Sequence, residues 1–263
     1  MKKYELTNKK IQTACGRTLY RIKALVDVGC YVKAGELGGY IEKEDNLSHD
    51  GDAWVGGSAR VFDKAKISGD AWVYGDAQVY GNATVLNAAR IGDKAMVYGN
   101  AQICDKAQIG NNSQVYGNVW VCQNAAVYRD AKVYDNAQVY GAASVSGKAQ
   151  VSGKARVYGN AWVCGNAKVA GLATVYDSVQ LGQSATIFDV TDYCYIRPVG
   201  SRHDSVTFYR TKRGIRVTTG CFSGTLAAFI KRVEKVHGDN DFGRGYRCCI
   251  ELAKIQFALK IKD

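Results

Sequence analysis

The sequence predicts an all-β solenoid, a parallel β-helix of seven to eight triangular coils, with an N-terminal β cap and a small C-terminal α+β domain. Three observations predict it. First, 23 aliphatic residues stand six apart without a break from Val55 to Ile187. Period six is neither helical nor plain strand periodicity, and it suits a chain coiling round a prism with one short strand per side. Second, the fifth position of the hexad is small: of the 22 such positions from Ala59 to Ala185, 19 are Ala, and Ser113, Val119 and Val179 depart. A prism interior has room for one large residue per side and a small one beside each corner. Third, position three is Gly, Asn or Asp in 20 of 23 hexads, with Gln123, Arg129 and Gln183 departing. Those residue types tolerate the positive φ of a sharp corner.

Three hexads make one coil of 18 residues. With parallel strands about 4.8 Å apart, the prism should be roughly 35 Å long. Residues 1–48 lack the hexad. Thr18–Leu25 and Tyr31–Glu42 read as strands, with turns at Gly29 and Gly38-Gly39. They are expected to cap the exposed strand edges of the first coil. The solenoid then occupies 49–191, with His49 in a position-one slot as a packed end residue.

From 192 to 263 the composition changes. Cys194–Val199, Ser205–Arg210 and Ile215–Thr219 read as strands, with Lys212-Arg213-Gly214 as a hairpin turn. Leu226, Phe229, Ile230 and Val233 fall at i, i+3, i+4, i+7, an amphipathic helix that Ser223 or Thr225 could cap and Gly238 could end. A second helix carries Tyr246, Ile250, Ala253 and Phe257.

The net charge of +11 is uneven. Residues 191–263 hold 14 Lys+Arg against 7 Asp+Glu, net +7, whereas 1–50 and 51–190 each carry +2. A basic surface of this kind suits phosphate-bearing or acidic partners and argues against DNA mimicry. Nine cysteines, an odd number without framework spacing, point to a reduced, cytoplasmic protein. No apolar run of about 20 residues is present, so no membrane span is expected. The lysines after Met1 precede no apolar region of the kind a signal peptide needs. Cys104 and Cys122, one coil apart, are expected as stacked reduced thiols.

Position two of each hexad points outward. Sorted by coil, it stacks Phe62, Tyr80, Tyr98, Tyr116 and Tyr134 on one side, and Tyr140, Tyr158 and Tyr176 on another. Trp54 and Trp72 form a further expected stack at position six. Such a column is either an in-register stabilising ladder or a contact face for another copy of the chain. On the second reading Tyr80, Tyr98, Tyr116 and Tyr134 hold a dimer or trimer together.

The basic module carries the candidate ligand site. Arg202, Arg210 and Arg216 on a turn and a hairpin could hold phosphate bidentately. Tyr209 could stack on a base, and Asp204 could orient an arginine or a ribose hydroxyl. Ser223 and Thr225 flank a turn opening a helix, whose N-terminus favours anions. His203 and Thr207 complete the expected set. The partner would be a phosphate-bearing small molecule, nucleic acid or an acidic protein. No catalytic residue, metal or cofactor is assigned. Cys221, His203, Asp204 and His237 contain the ingredients of a Cys-His nucleophilic site, but nothing in their spacing shows that they meet, and the plainer expectation is a buried Cys221 after a strand.

The hexads resemble the hexapeptide-repeat, left-handed β-helix family, and the left hand is implied by that resemblance. The whole chain resembles poorly characterised bacterial and phage hexapeptide-repeat proteins often labelled transferases. That resemblance rests on Gly35-Glu36-Leu37-Gly38-Gly39-Tyr40-Ile41-Glu42, Asn46-Leu47-Ser48-His49, the hexads, Gly200-Ser201-Arg202, Thr207-Phe208-Tyr209-Arg210-Thr211-Lys212, Gly220-Cys221-Phe222-Ser223-Gly224-Thr225 and His237-Gly238. Hexapeptide-repeat proteins at large include many acyltransferases, commonly trimers, with a histidine base near the coils and often a loop excursion for the acyl donor. Here the hexads are unbroken, and the only histidines are His49, His203 and His237. The three histidines of a β-helical carbonic anhydrase zinc site are likewise missing from the coils. The expected function is therefore a non-catalytic binding or scaffold protein whose rod self-associates and displays the basic module. In a phage setting it would sequester a host nucleotide signal or block a host defence protein. The alternative is an acyltransferase with an inter-subunit active site.

Overall fold

A computed structural model describes residues 2–200 and 202–259; Met1, Ser201 and residues 260–263 lie outside the described residues. Each hexad contributes a two- to four-residue strand, such as Trp54–Val55 or Met96–Gly99. Strands 18 residues apart pair in parallel register, Val97 with Val115 and Ile103 with Val121. They build three long sheets of 11, 8 and 7 strands, the three walls of the solenoid. The aliphatic residue of every hexad points inward and is buried, as are the position-five alanines. The interior is a continuous apolar column running the length of the coils.

All 22 corner residues from Gly57 to Gln183 have positive φ, Gln123 (60°), Arg129 (61°) and Gln183 (48°) included. The corner geometry is thus imposed by the coil even where the side chain opposes it. Many corner side chains also serve the next coil. Asp93 Oδ2 accepts from Asn111 N at 2.8 Å, Asp135 Oδ2 from Gly153 N at 3.0 Å, and Gln123 Oε1 from Gly141 N at 2.7 Å. One position further on, Asn82, Asn100, Asn118 and Asn136 form an amide ladder of 2.8–3.1 Å bonds. The tyrosine columns stack as expected: Tyr80, Tyr98 and Tyr116 lie 4.8–4.9 Å apart and within 3° of parallel.

The N-terminal segment forms β1 (Tyr4–Gln12), β2 (Thr18–Ala24) and β3 (Leu37–Ile41). β1 and β2 are antiparallel, and β3 then pairs in parallel with the coil strand Arg60–Val61, so the cap continues one solenoid wall. Gly38-Gly39 is not a turn, contrary to expectation, but lies within β3. A Cβ on Gly38 would stand 2.6 Å from Ile22 Cγ1 and from Val55 O, and one on Gly39 2.6 Å from Ala59 O. The glycines are there because the cap backbone presses onto the first coil. His49 stacks on Tyr4 at 4.4 Å. Trp54 and Trp72 do not form the expected mutual stack; Trp54 meets Tyr4 edge-on and Trp72 meets Tyr31.

The C-terminal segment forms a four-stranded antiparallel sheet, β4 (Tyr193–Val199), β5 (Asp204–Thr211), β6 (Gly214–Thr219) and β7 (Phe222–Thr225). Two helices follow, α1 (Leu226–His237) and α2 (Asp241–Leu259). Thr225 Oγ1 accepts from Ala228 N at 3.2 Å and caps α1, which Gly238 ends with a positive φ. The sheet is a plate with two buried faces. Val206, Phe208, Cys194 and Val217 face the helices and join Phe229, Val233, Ile250 and Phe257. Tyr193 and Tyr209 face the other way and belong to the solenoid's own core. Ala185 bridges Thr211, and Tyr193 Oη donates to Thr174 O at 2.9 Å. The basic module is therefore the lid of the last coil, not a unit held out at the end of a rod.

Candidate functional site

Strand alternation divides the residues expected to bind phosphate. Paired residues in an antiparallel ladder share a face. Tyr209 pairs with Arg216, and Arg210 with Ile215, so the two arginines point to opposite faces of the sheet. Arg210 lies on the helix side. Its Nη2 donates to Phe257 O at 2.6 Å, its guanidinium sits 5.2 Å from the Phe257 ring centre, and its Nε lies 3.3 Å from Asp192 Oδ1. It ties the plate to α2 and to the turn that leaves the solenoid.

Tyr209 cannot stack on a base. It is fully buried at 0% exposure, and Thr207 beside it is 1% exposed. Both expectations fail because β5 is the inner strand of a plate covered on both sides, whereas a basic hairpin in isolation would be open. Ser223 and Thr225 lie in β7 and not in a free helix-opening turn; the Thr225 hydroxyl is taken by the α1 cap. His203 lies exposed in the β4–β5 turn with φ 49°.

Arg202 and Asp204 remain together. A Cβ on Gly220 would lie 3.1 Å from Arg202 Nη2 and 3.6 Å from Asp204 Oδ2, so both groups flank the tip of the β6–β7 hairpin. They open onto a cavity of about 610 Å³ between that tip and α1, which Ser223, Cys221, Arg232 and His237 also line. Phe222, Phe229, Val233, Val236 and Tyr246 supply an apolar wall. Arg202 and Arg232 are exposed and form no ion pair among the described residues. The cavity therefore presents two guanidinium groups, an imidazole and the Asp204 carboxylate beside an apolar surface. That chemistry suits an anion carrying an apolar or planar body.

Sequence reading missed Arg232 and the apolar wall. The signal was present: Phe229, Arg232, Val233, Val236 and His237 fall at i, i+3, i+4, i+7 and i+8, one stripe of α1. Three of the four ingredients of the Cys-His reading, Cys221, Asp204 and His237, do line the same cavity; His203 does not line it. A second cavity of about 660 Å³ lies on the solenoid side of the same hairpin, lined by Trp162, Asn166, Gln180 and Gln183.

The thiols are all unpaired. Burial pushes the Cys194 thiol, under the plate, up to about 11, and the Cys122 thiol, beside Cys104, up to about 12. Neither is an activated nucleophile.

A family model described as YdcK beta solenoid repeat matches residues 77–93 and 149–165. The chain is similar to that repeat. The two matches begin at Ala77 and Ala149, equivalent position-five residues, so they fall in the same phase of the coil. The matched stretches lie wholly within the coils, so they support a β-solenoid repeat family and bear on neither the cap nor the plate. No curated protein matches the chain. No helix among the described residues is long and apolar enough to cross a membrane.

Proposed function

We propose that the protein is a non-catalytic binding protein, and that the cavity between the β6–β7 hairpin and α1 holds a phosphate-bearing ligand. The observation that carries this reading is the convergence of Arg202 and Arg232, neither with an ion-pair partner among the described residues, on one cavity with an apolar wall. Arg202 and Arg232 would hold the phosphate, His237 and Ser223 would donate hydrogen bonds, and Asp204 would orient Arg202. The apolar wall favours a small organic phosphate such as a nucleotide over a nucleic acid chain or an acidic protein. On this reading a phage-borne copy would serve to sequester a nucleotide signal in the cytoplasm, and the unpaired cysteines suit such a reducing compartment. The hexapeptide-repeat kinship stays part of this proposal, as does self-association into a dimer or trimer through Tyr80, Tyr98, Tyr116 and Tyr134, each part-exposed on one wall.

Calorimetry with adenosine and guanosine nucleotides tests the site. Charge-assisted bonds contribute about 1.5–3 kcal/mol each, so Arg232→Ala should weaken binding roughly tenfold to a hundredfold. Unchanged affinity in Arg202→Ala and Arg232→Ala alike would reject the site. Sedimentation of Tyr98→Ser against the parent tests the self-association.

The second reading is catalytic, because Cys221 and His237 line the same cavity. Attack of the Cys221 thiol on a thioester donor would form a new thioester at Cys221 and release the donor's thiol, an adduct detectable by mass spectrometry of the intact chain. An adduct lost in Cys221→Ala would favour that reading over the binding one.

A further inference from the structure

Midway along the rod, far in sequence from the plate, two cysteines and a carboxylate converge. Cys104 and Cys122 occupy position two of hexads one coil apart, and the flanking residues Ile103 and Val121 are register partners. The Cys104 sulfur, the Cys122 sulfur and a carboxylate oxygen of Asp105 all lie within 4.8 Å of one another. Among the described residues they are the only trio of His, Cys, Asp and Glu so arranged. The two thiols are free, Cys122 is 4% exposed and Cys104 part-buried, so the site has one open side.

The carboxylate is held in place before anything binds. Asp105 Oδ1 accepts from Asn87 Nδ2 and Oδ2 from Gln123 N, both at 3.0 Å. A carboxylate has further lone pairs on each oxygen, so these bonds orient the group without exhausting it. Trp120, in the strand Trp120–Val121 just before Cys122, is exposed on the outer face of the same wall. Oriented ligands with hydrogen-bonded outer partners are what a metal site requires.

We propose that Cys104, Cys122 and Asp105 bind one thiophilic divalent cation of the zinc class. Two thiolates and one carboxylate are a soft donor set that favours Zn(II) or Cd(II) over Mg(II) or Ca(II). Three protein ligands leave a fourth tetrahedral position for water on the open side. On binding, each thiol releases its proton to solvent and each sulfur donates a lone pair to the metal; no electron is transferred. Because the two sulfurs come from successive coils, the metal would staple the middle of the rod.

Cadmium titration of the purified full-length chain tests this, read by thiolate-to-cadmium charge-transfer absorption in competition with a chelator. The parent is expected to bind one more tightly held cadmium per chain than Cys104→Ser/Cys122→Ser. Asp105→Asn should weaken that site about tenfold, and Trp120 emission should change on binding in the parent alone. Serine already fills position two at Ser68, Ser146 and Ser152, so the double variant is expected to fold. Cadmium should raise the parent's melting temperature and not that of the double variant. If melting shows that the double variant has lost its fold, the Cys122→Ser single variant replaces it under the same criterion. Equal stoichiometry and affinity in the parent and the folded cysteine variant would overturn the proposal, as would selectivity for Mg(II) over Cd(II).

Discussion

The Tyr193 hydroxyl donates a hydrogen bond to the backbone carbonyl of Thr174 at 2.9 Å, joining the C-terminal sheet to the last coil of the solenoid. Next to it Tyr209 is fully buried and shares the solenoid's apolar core. Truncating a buried aromatic of this size costs about 3–5 kcal/mol. Tyr209→Ala is therefore expected to lower stability by that amount, read from urea unfolding. Tyr193→Phe removes this part-buried hydrogen bond and should cost about 0.5–1.5 kcal/mol. A Tyr209→Ala protein as stable as the parent would show that the plate does not seal the coil.

Arg129 sits at a corner with φ 61°, and among the described residues no hydrogen bond of its side chain repays that conformation. Left-handed backbone costs a residue with a Cβ about 1–2 kcal/mol. Arg129→Gly should thus stabilise the protein by about 1 kcal/mol. Gln123 has the same φ of 60°, but its side chain accepts from Gly141 N at 2.7 Å. Gln123→Gly loses that bond as it relieves the backbone, and its melting temperature should move much less. Equal shifts would refute the distinction.

Tyr98 stacks on Tyr80 below and Tyr116 above, at 4.9 and 4.8 Å. Each aromatic pair contributes about 0.5–1.5 kcal/mol beyond burial. Tyr98→Ser interrupts two pairs and should cost roughly 1–3 kcal/mol in a protein held monomeric by dilution. An unchanged unfolding midpoint would deny the column a stabilising role and leave only the contact face.

The buried thiols make stability fall in alkali. Cys122 and Cys194 are pushed from 9.0 up to about 12 and about 11. Below about pH 9 both states hold these protons and nothing changes. Between that and the raised values, the unfolded chain releases protons that the folded chain retains, so stability decreases as pH rises. Tyr4 and Tyr193, raised by burial, act in the same direction above pH 10. The denaturant midpoint should drop across that window, and less so in Cys122→Ala. A midpoint rising with pH would contradict the burial of these groups.

The coils were legible because each hexad states its own requirement. Val97 must be large and apolar, Ala95 must be small, and Gly99 must turn a corner, all within a handful of residues. The helix caps were legible for the same reason: Thr225 and Gly238 act on the turn they adjoin. The cap was less legible. Gly38-Gly39 carries the local signature of a turn, yet its cause lies in Val55 and Ala59 of another strand. The candidate site fared worst. Arg202, Asp204 and Ser223 reached the cavity, Arg210, Arg216, Tyr209 and Thr207 did not, and Arg232 went unrecognised.

Local chemistry repeated every six residues determined the solenoid, its length, its corners and its stacked tyrosines, since each contact there recurs at a fixed offset of 18 residues. Where the plate would lie was decided only in three dimensions. A strand with apolar residues on both faces can be buried by any two partners, and nothing in Tyr193–Thr211 says that one of them is the open end of the coils. Docking there placed Tyr209 in the core and Arg210 against α2, and left Arg202 and Arg232 facing the cavity.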